Sequence, residues 1–219
     1  MDCTPNCVGM LVILLQAQLD ELEQLQATPE LCATPPRRVM LMIEPTPFTH
    51  ISGYSNRFRE MLKYLKKAGD EVAILTVDDT PDAPTSHLGF PITTTRGFRN
   101  PVYKSICLTF DTDLAGWGVC EKHRPEVLHV TTPGFIGFAA MLYARAFRIP
   151  LVLSYHTHLP LYAKTYSPEW FPGVEEIAFA LISFVHNRAD LTLVTSPQVK
   201  AELESRGIER VEVWRKGTL

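Results

Sequence analysis

Arg38-Val39-Met40-Leu41-Met42-Ile43-Glu44-Pro45-Thr46-Pro47-Phe48-Thr49-His50-Ile51-Ser52-Gly53-Tyr54 decides the fold. Val39 to Ile43 is an unbroken apolar run of strand length, and a run without polar alternation reads as a strand buried on both faces. A Pro/Gly loop from Pro45 to Gly53 follows. Beyond it Phe58, Leu62 and Leu65 recur at helical spacing, and Gly69 closes that helix. Glu71 to Val77 is then a second strand. This strand–loop–helix–strand unit sets the pattern for the rest of the chain.

Working outward, the turn-rich stretch Pro81 to Pro91 leads to a weaker strand at Ile92 to Thr95. Residues 101–123 read as mainly helical, with Gly116 and Gly118 as weak points. Val127 to Thr132 is a strand, Gly134 to Phe147 a helix, and Leu151 to His156 a strand. A helix from Gly173 to Arg188, a strand from Leu191 to Thr195, a helix from Pro197 to Arg206 and a strand from Val211 to Trp214 complete the series. Strands alternating with helices imply right-handed crossovers and a parallel sheet covered on both faces. The expectation is an α/β fold, a seven-stranded doubly wound parallel sheet of Rossmann-like type.

Composition narrows the function. The 219 residues carry 21 Lys+Arg against 24 Asp+Glu, a net charge of -3, with 46% hydrophobic residues. That is ordinary globular composition, and it offers no clustered basic face for nucleic acid. No apolar run approaches the ~20 residues that span a bilayer. Cys3, Cys7, Cys32, Cys107 and Cys120 are odd in number and form no CxxC pair, so reduced core thiols are expected. Residues 1–36 are an amino-terminal extension and linker: apolar Val8 to Leu15, helix-prone Gln16 to Gln26, then Pro/Thr-rich Thr28 to Pro36. Asp20, Glu21, Glu23 and Glu30 and the lack of Ser do not fit a transit peptide. The extension could pack on the domain or lie on a membrane surface.

In a doubly wound sheet, ligands sit outside the carboxyl ends of the strands, where strand order reverses. The rule nominates the loops after the first, fourth and fifth strands: Glu44 to Tyr54, Thr131 to Gly134, and Ser154-Tyr155-His156-Thr157-His158. The first loop has one glycine where G-x-G-x-x-G needs three, which argues against a dehydrogenase. Gly53 either lets backbone N–H groups approach an anion or simply opens a helix. Gly134 and Gly137 fit close helix–sheet packing. His156 and His158 could share one face of an extended segment, but no third zinc ligand is nearby. A histidine at a strand's carboxyl end suits hydrogen bonding to a sugar or phosphate, with a structural histidine as the alternative. His129 and His186, inside a strand and a helix, read as structural.

At these loops residues 37–217 resemble the amino-terminal domain of glycosyltransferase family 4, and within that family its sulfolipid-forming, sulfoquinovosyl-transferring members of plants and algae. The resemblance is carried by Pro36-Arg37-Arg38, Glu44-Pro45-Thr46-Pro47-Phe48, Ser52-Gly53-Tyr54-Ser55-Asn56-Arg57-Phe58 and Gly69-Asp70-Glu71-Val72. It continues through Thr132-Pro133-Gly134, Ser154-Tyr155-His156-Thr157-His158-Leu159-Pro160 and Arg188-Ala189-Asp190-Leu191-Thr192-Leu193-Val194.

The resemblance implies the acceptor-side half, residues 37–219, of a retaining GT-B glycosyltransferase, whose two Rossmann-like domains face each other across a cleft. It implies transfer of sulfoquinovose from UDP-sulfoquinovose to diacylglycerol at the chloroplast envelope or thylakoid, with peripheral membrane contact and no metal or cofactor. Ser52, Gly53 and Tyr54 then match the glycine loop near the donor phosphates. Pro133, Gly134, Thr157 and His158 join them as substrate-binding candidates, and His156 matches the catalytic histidine near the transferring sugar. Where the sequence stops, the family crosses to its donor-binding domain, so that domain and its paired-glutamate motif are expected to be missing. Glu204 and Glu212 have the motif's spacing by coincidence. Tyr54, Phe135, Tyr155 and Trp214 are expected on an uncovered rim, with Arg57, Arg59 and Lys63 beside it facing membrane. The alternatives are another family-4 transferase with a different sugar or lipid, and a non-catalytic binding module.

Overall fold

A computed structural model describes residues 36–50, 53–100, 106–161 and 173–214. In chain order the elements are β1 (Arg38–Ile43), α1 (Gly53–Ala68), β2 (Glu71–Val77), β3 (Ser86–His87), β4 (Phe90–Thr95), β5 (Phe98–Arg99), β6 (Cys107–Leu108), α2 (Ala115–His123), β7 (Val127–Thr132), α3 (Ile136–Phe147), β8 (Leu151–Tyr155), α4 (Val174–His186), β9 (Leu191–Val194), α5 (Pro197–Ser205) and β10 (Val211–Val213). Eight strands form one sheet in the order β10-β9-β8-β7-β1-β2-β4-β3, and β5 pairs with β6. All neighbours in the sheet are parallel except β3, which runs antiparallel to β4.

β1 is the pivot. It pairs with β2 on one side and β7 on the other, so Val39 lies beside both Val72 and Val127. The parallel strands run outward from β1 in chain order on both sides, with antiparallel β3 at the edge beyond β4, which makes the β1/β7 boundary the switch point. The continuous apolar character of β1 follows from burial on both faces. Met40 and Met42 pack with Leu128, Val130, Leu153, Ile136 and Tyr143 on the α2–α3 side. Leu41 and Ile43 pack with Phe58, Leu62 and Ile74 on the α1 side. A third cluster joins Tyr155 and Val194 to Phe179, Ile182 and Leu203 of α4 and α5.

Two local devices make the sequence fold this way. Gly69 ends α1 with φ of 82°, a conformation that side chains resist, and Asp70 N–H returns to the Leu65 carbonyl at 3.0 Å. Asp70 then holds Arg37 by two side-chain bonds of 2.8 and 2.6 Å, pinning the entry to β1. At α2, the Asp111 carboxylate accepts the N–H groups of Ala115 and Gly116, at 3.1 and 2.8 Å, and the Tyr143 hydroxyl at 2.5 Å. This satisfies otherwise orphaned first-turn donors.

The structure corrects two expectations. The sheet has an eighth strand, β3, two residues long, which an alternating-pattern reading cannot register. Residues 101–123 are not mainly helical: β5 and β6 form a hairpin and the helix starts at Ala115. Residues 101–105 lie outside the described residues, as does the proposed helix of the extension. Cys107 and Cys120 are free and buried, and burial pushes the Cys120 thiol up to about 12.

Gly116 allows α2 to sit close to α3. A Cβ there would meet Tyr143 Cε2 at 2.6 Å, Asp111 Oδ2 at 2.8 Å and Leu75 Cδ2 at 2.9 Å. Gly116→Ala is expected to cost about 1–3 kcal/mol through overpacking, despite the better helix propensity of alanine. Urea unfolding of the two proteins checks this; an alanine variant as stable as the wild type contradicts it.

Candidate functional site

The β1 and β7 carboxyl ends bring the first and fourth loops together around Glu44. The residue is 3% exposed and its carboxyl is well partnered: Oε2 accepts Ile136 N–H at 2.7 Å and Oε1 accepts Thr109 N–H at 3.2 Å. Its backbone N–H donates to Thr131 Oγ1 at 2.8 Å, and that hydroxyl donates back to the Glu44 carbonyl at 3.0 Å. Glu44 thereby sits at the amino terminus of α3, where backbone donors and the helix dipole favour negative charge. Burial acts the other way and dominates, raising the carboxyl to about 8. Gly134 makes the approach possible, since a Cβ there would stand 3.2 Å from the Glu44 carboxyl. Sequence reasoning assigns Glu44 no role of its own. An acidic residue directly after a buried strand, at the predicted switch point, was the signal.

His156 follows β8, and its N–H extends the β7–β8 pairing to the Thr132 carbonyl at 3.0 Å. Its ring lies 5.5 Å from Tyr54, 5.5 Å from Phe58 and 5.8 Å from Trp214, centre to centre. Tyr54 and Phe58 are the first-turn and second-turn aromatics of α1, and Tyr54 donates its hydroxyl to the Pro45 carbonyl. Trp214 arrives from β10, with its carbonyl bonded to Arg57 at 2.9 Å and the guanidinium 4.8 Å over its ring. Burial first, then the nearby His129 and Arg57, depress the His156 imidazole to about 3, so it is neutral at ordinary pH.

The expected site residues are therefore partly assembled. His156, Gly53 and Tyr54 converge at the start of α1, and Pro133 and Gly134 flank Glu44 across the switch point. Ser52 lies outside the described residues, and Thr157 is exposed. His158 does not share a face with His156. It donates Nε2–H to Glu202 at 2.8 Å, accepts Leu161 N–H at 3.2 Å through Nδ1, and packs 6.2 Å from Phe179 on the α4–α5 side. β8 ends at Tyr155 and the chain bends at Thr157, so the two-residue alternation of a strand does not carry through to His158. His186 is structural as expected, tied to Thr132 and Thr192 hydroxyls at 3.1 and 3.0 Å.

The rim also differs from expectation in part. Tyr155 points into the α4–α5 core at 2% exposure, whereas Phe135 stacks on Phe110 at 4.5 Å, with Phe98 5.9 Å away. Phe98 and Phe110 are 41% and 46% exposed; Phe98 lies in β5, and Phe110 falls in the stretch 101–123 expected to be mainly helical. Arg57 ties α1 to the Trp214 carbonyl at the end of β10, and Arg59 clamps the first loop by donating to the Pro47 and Phe48 carbonyls at 3.1 and 3.0 Å. Lys63 pairs with Glu60. On the far side of that loop, Pro45, Thr46, Thr49, His50, Asp78 and Arg99 border a cavity of about 300 Å³. Glu204 and Glu212 both reach Lys200, at 3.8 and 3.2 Å.

The sequence model of glycosyltransferase family 4 matches residues 51–218. The sulfoquinovosyl transferase of Arabidopsis thaliana is 33% identical over 185 residues, covering 83% of this chain and 35% of that protein. A GDP-mannose-dependent alpha-mannosyltransferase of Mycobacterium tuberculosis is 27% identical, covering 76% of this chain and 44% of its own length. The chain thus spans less than half of these relatives. Among solved structures, sucrose-phosphate synthase from Thermosynechococcus elongatus superposes with a TM-score of 0.64 at 18% identity, over 83% of this chain and 49% of that one. Its fold is shared.

The buried acid makes stability fall with rising pH. Glu44 keeps its proton in the native state up to about 8 but loses it near 4.5 when unfolded, so the native state holds more protons in between. His129, His156 and His186, all depressed by burial, act oppositely but only below about 6.5. Between pH 6.5 and 8 the wild type should lose thermal stability as pH rises, and Glu44→Gln should flatten that slope. An unchanged slope in the variant contradicts the assignment.

Proposed function

Because the chain belongs to glycosyltransferase family 4, we propose that it forms the acceptor-side half of a retaining GT-B glycosyltransferase that moves sulfoquinovose from UDP-sulfoquinovose to diacylglycerol. The observation that carries the reading is His156: a neutral imidazole at the carboxyl end of a central strand, beside the start of α1. The sulfoquinovosyl transferase likeness supports the sugar and the lipid, while the GDP-mannose-dependent relatives favour, as second reading, another sugar or acceptor on the same half-site. Residues 37–219 are the acceptor domain on this account, and residues 1–36 an extension to it.

In such a transfer the anomeric carbon leaves a phosphate oxygen for a hydroxyl oxygen, and positive charge develops on the sugar. An imidazole depressed to about 3 carries no charge at pH 7, so His156 neither repels that charge nor serves as a cationic acid. It acts as a hydrogen-bonding group that orients the sugar and accepts part of the developing polarity. Gly53 and Tyr54 shape the donor phosphate side, and Ser52 belongs with them. Pro133 and Gly134 border the acceptor path, with Thr157 and His158 at its edge. The cavity beside the first loop, with Thr46, Thr49, Asp78 and Arg99, offers groups that suit a hydroxyl-bearing headgroup. The exposed Phe98 and Phe110 suit its apolar part, and peripheral contact with a chloroplast membrane completes the reading. No helix among the described residues is long and apolar enough to cross a membrane.

A chimera tests it. Residues 37–214 replace the matching stretch of the Arabidopsis enzyme, and transfer of sulfoquinovose to diacylglycerol is followed. We expect turnover, a loss on the order of 100-fold with His156→Ala, and less than about tenfold with His158→Ala. A folded but inactive chimera, or equal losses, overturns the reading. The pH profile of the active chimera should show no inflection from His156 between pH 5 and 8; one that disappears in His156→Gln contradicts the neutral role.

A further inference from the structure

The sequence places His129 inside a strand as a structural residue, yet it packs on the same aromatic rings as His156. Its ring stands 5.6 Å from Phe58 and 5.5 Å from Trp214, the two aromatics that also contact His156. Phe58 and Trp214 touch each other edge to face at 5.9 Å. The side chain is more than nine-tenths buried. Two further facts set it apart from a core histidine such as His186. The Nε2 atoms of both His129 and His156 are shut off from solvent, and neither has a hydrogen-bond partner among the described residues. Buried polar atoms in native proteins are nearly always partnered, by protein or by a bound water. Two histidines packed on one pair of aromatic rings, each with an orphaned Nε2, share a need that one small polar molecule can meet.

We propose that His129 is a positioning residue for His156: together their Nε2 atoms hold a buried water in the Phe58–Trp214 cage, which fixes the tautomer and ring orientation of His156. The proposal rests on the reading of His156 as the polar group of the site, and it explains how a neutral imidazole there keeps one nitrogen committed. With Nε2 bound inward, Nδ1 is the atom offered to a substrate. His129 itself touches no substrate. Burial alone depresses its imidazole, to about 4, so both rings remain neutral. Trp214 completes the cage through the Arg57 bond to its carbonyl, so the arrangement links β7, β8, α1 and the end of β10.

The test needs no sugar donor, so its failure is separable from failure of the transferase reading. Long-range nitrogen–proton NMR of the 219-residue chain reads the tautomer of each histidine. A hydrogen bond to one nitrogen biases the two tautomers by roughly tenfold. We expect His156 in one tautomer in the wild type, a shift of at least threefold toward an even mixture in His129→Phe, and restoration in His129→Gln. His129→Phe keeps a ring against Phe58 and Trp214, so a purely structural role predicts no change in the His156 tautomer. That result overturns the proposal. If His129→Phe does not fold, a crystal structure of the wild type decides: an ordered water within about 3.2 Å of both Nε2 atoms supports the proposal, and apolar packing against them overturns it.

Discussion

The carboxyl of Glu44 is the contact on which the arrangement of the site depends. β1 and β7 are paired, but the chain leaves them toward helices on opposite faces of the sheet, and something must bind the two departing segments together. Glu44 does so by accepting backbone N–H groups from α3 and from the segment after β6, while its own backbone is locked to Thr131. Burying such a group is costly unless every oxygen is occupied, and here both are. Gly134 is the sequence's concession to that contact. The first loop is thereby held against α3, and the same loop delivers Gly53 and Tyr54 to the neighbourhood of His156.

Most of the sheet was legible because buried parallel strands leave unbroken apolar runs. Glu71–Val77 and Val127–Thr132 have the boundaries their sequences suggest, and Gly69 ends α1 as a left-handed cap should. What escaped the reading had no periodic signal. β3, β5 and β6 are two residues each, too short for any alternation to register. α2 is organised by Asp111 and Tyr143, partners 32 residues apart, and not by its own weak amphipathic pattern.

The site shows the same division. The switch-point rule located the loops, since it depends on topology alone. It could not say which way each side chain turns. His156 and His158 are two residues apart, yet one enters an aromatic cage with α1 and the other binds Glu202 of α5. Tyr155, between them, is core. The strand ends at Tyr155 and the chain bends at Thr157, a departure from extended backbone that the alternating pattern does not announce. Arg57 and Arg59 likewise look like a solvated helix face but serve as clamps on backbone carbonyls.

The central claim is that His156 is the polar group that meets the transferred sugar. It is tested most directly by a crystal structure of an active chimera with UDP-sulfoquinovose bound. The account predicts the His156 ring within hydrogen-bond distance of the sugar, with the diphosphate against the start of α1. A sugar bound elsewhere, with the His156 ring still closed in among Tyr54, Phe58 and Trp214, would contradict it.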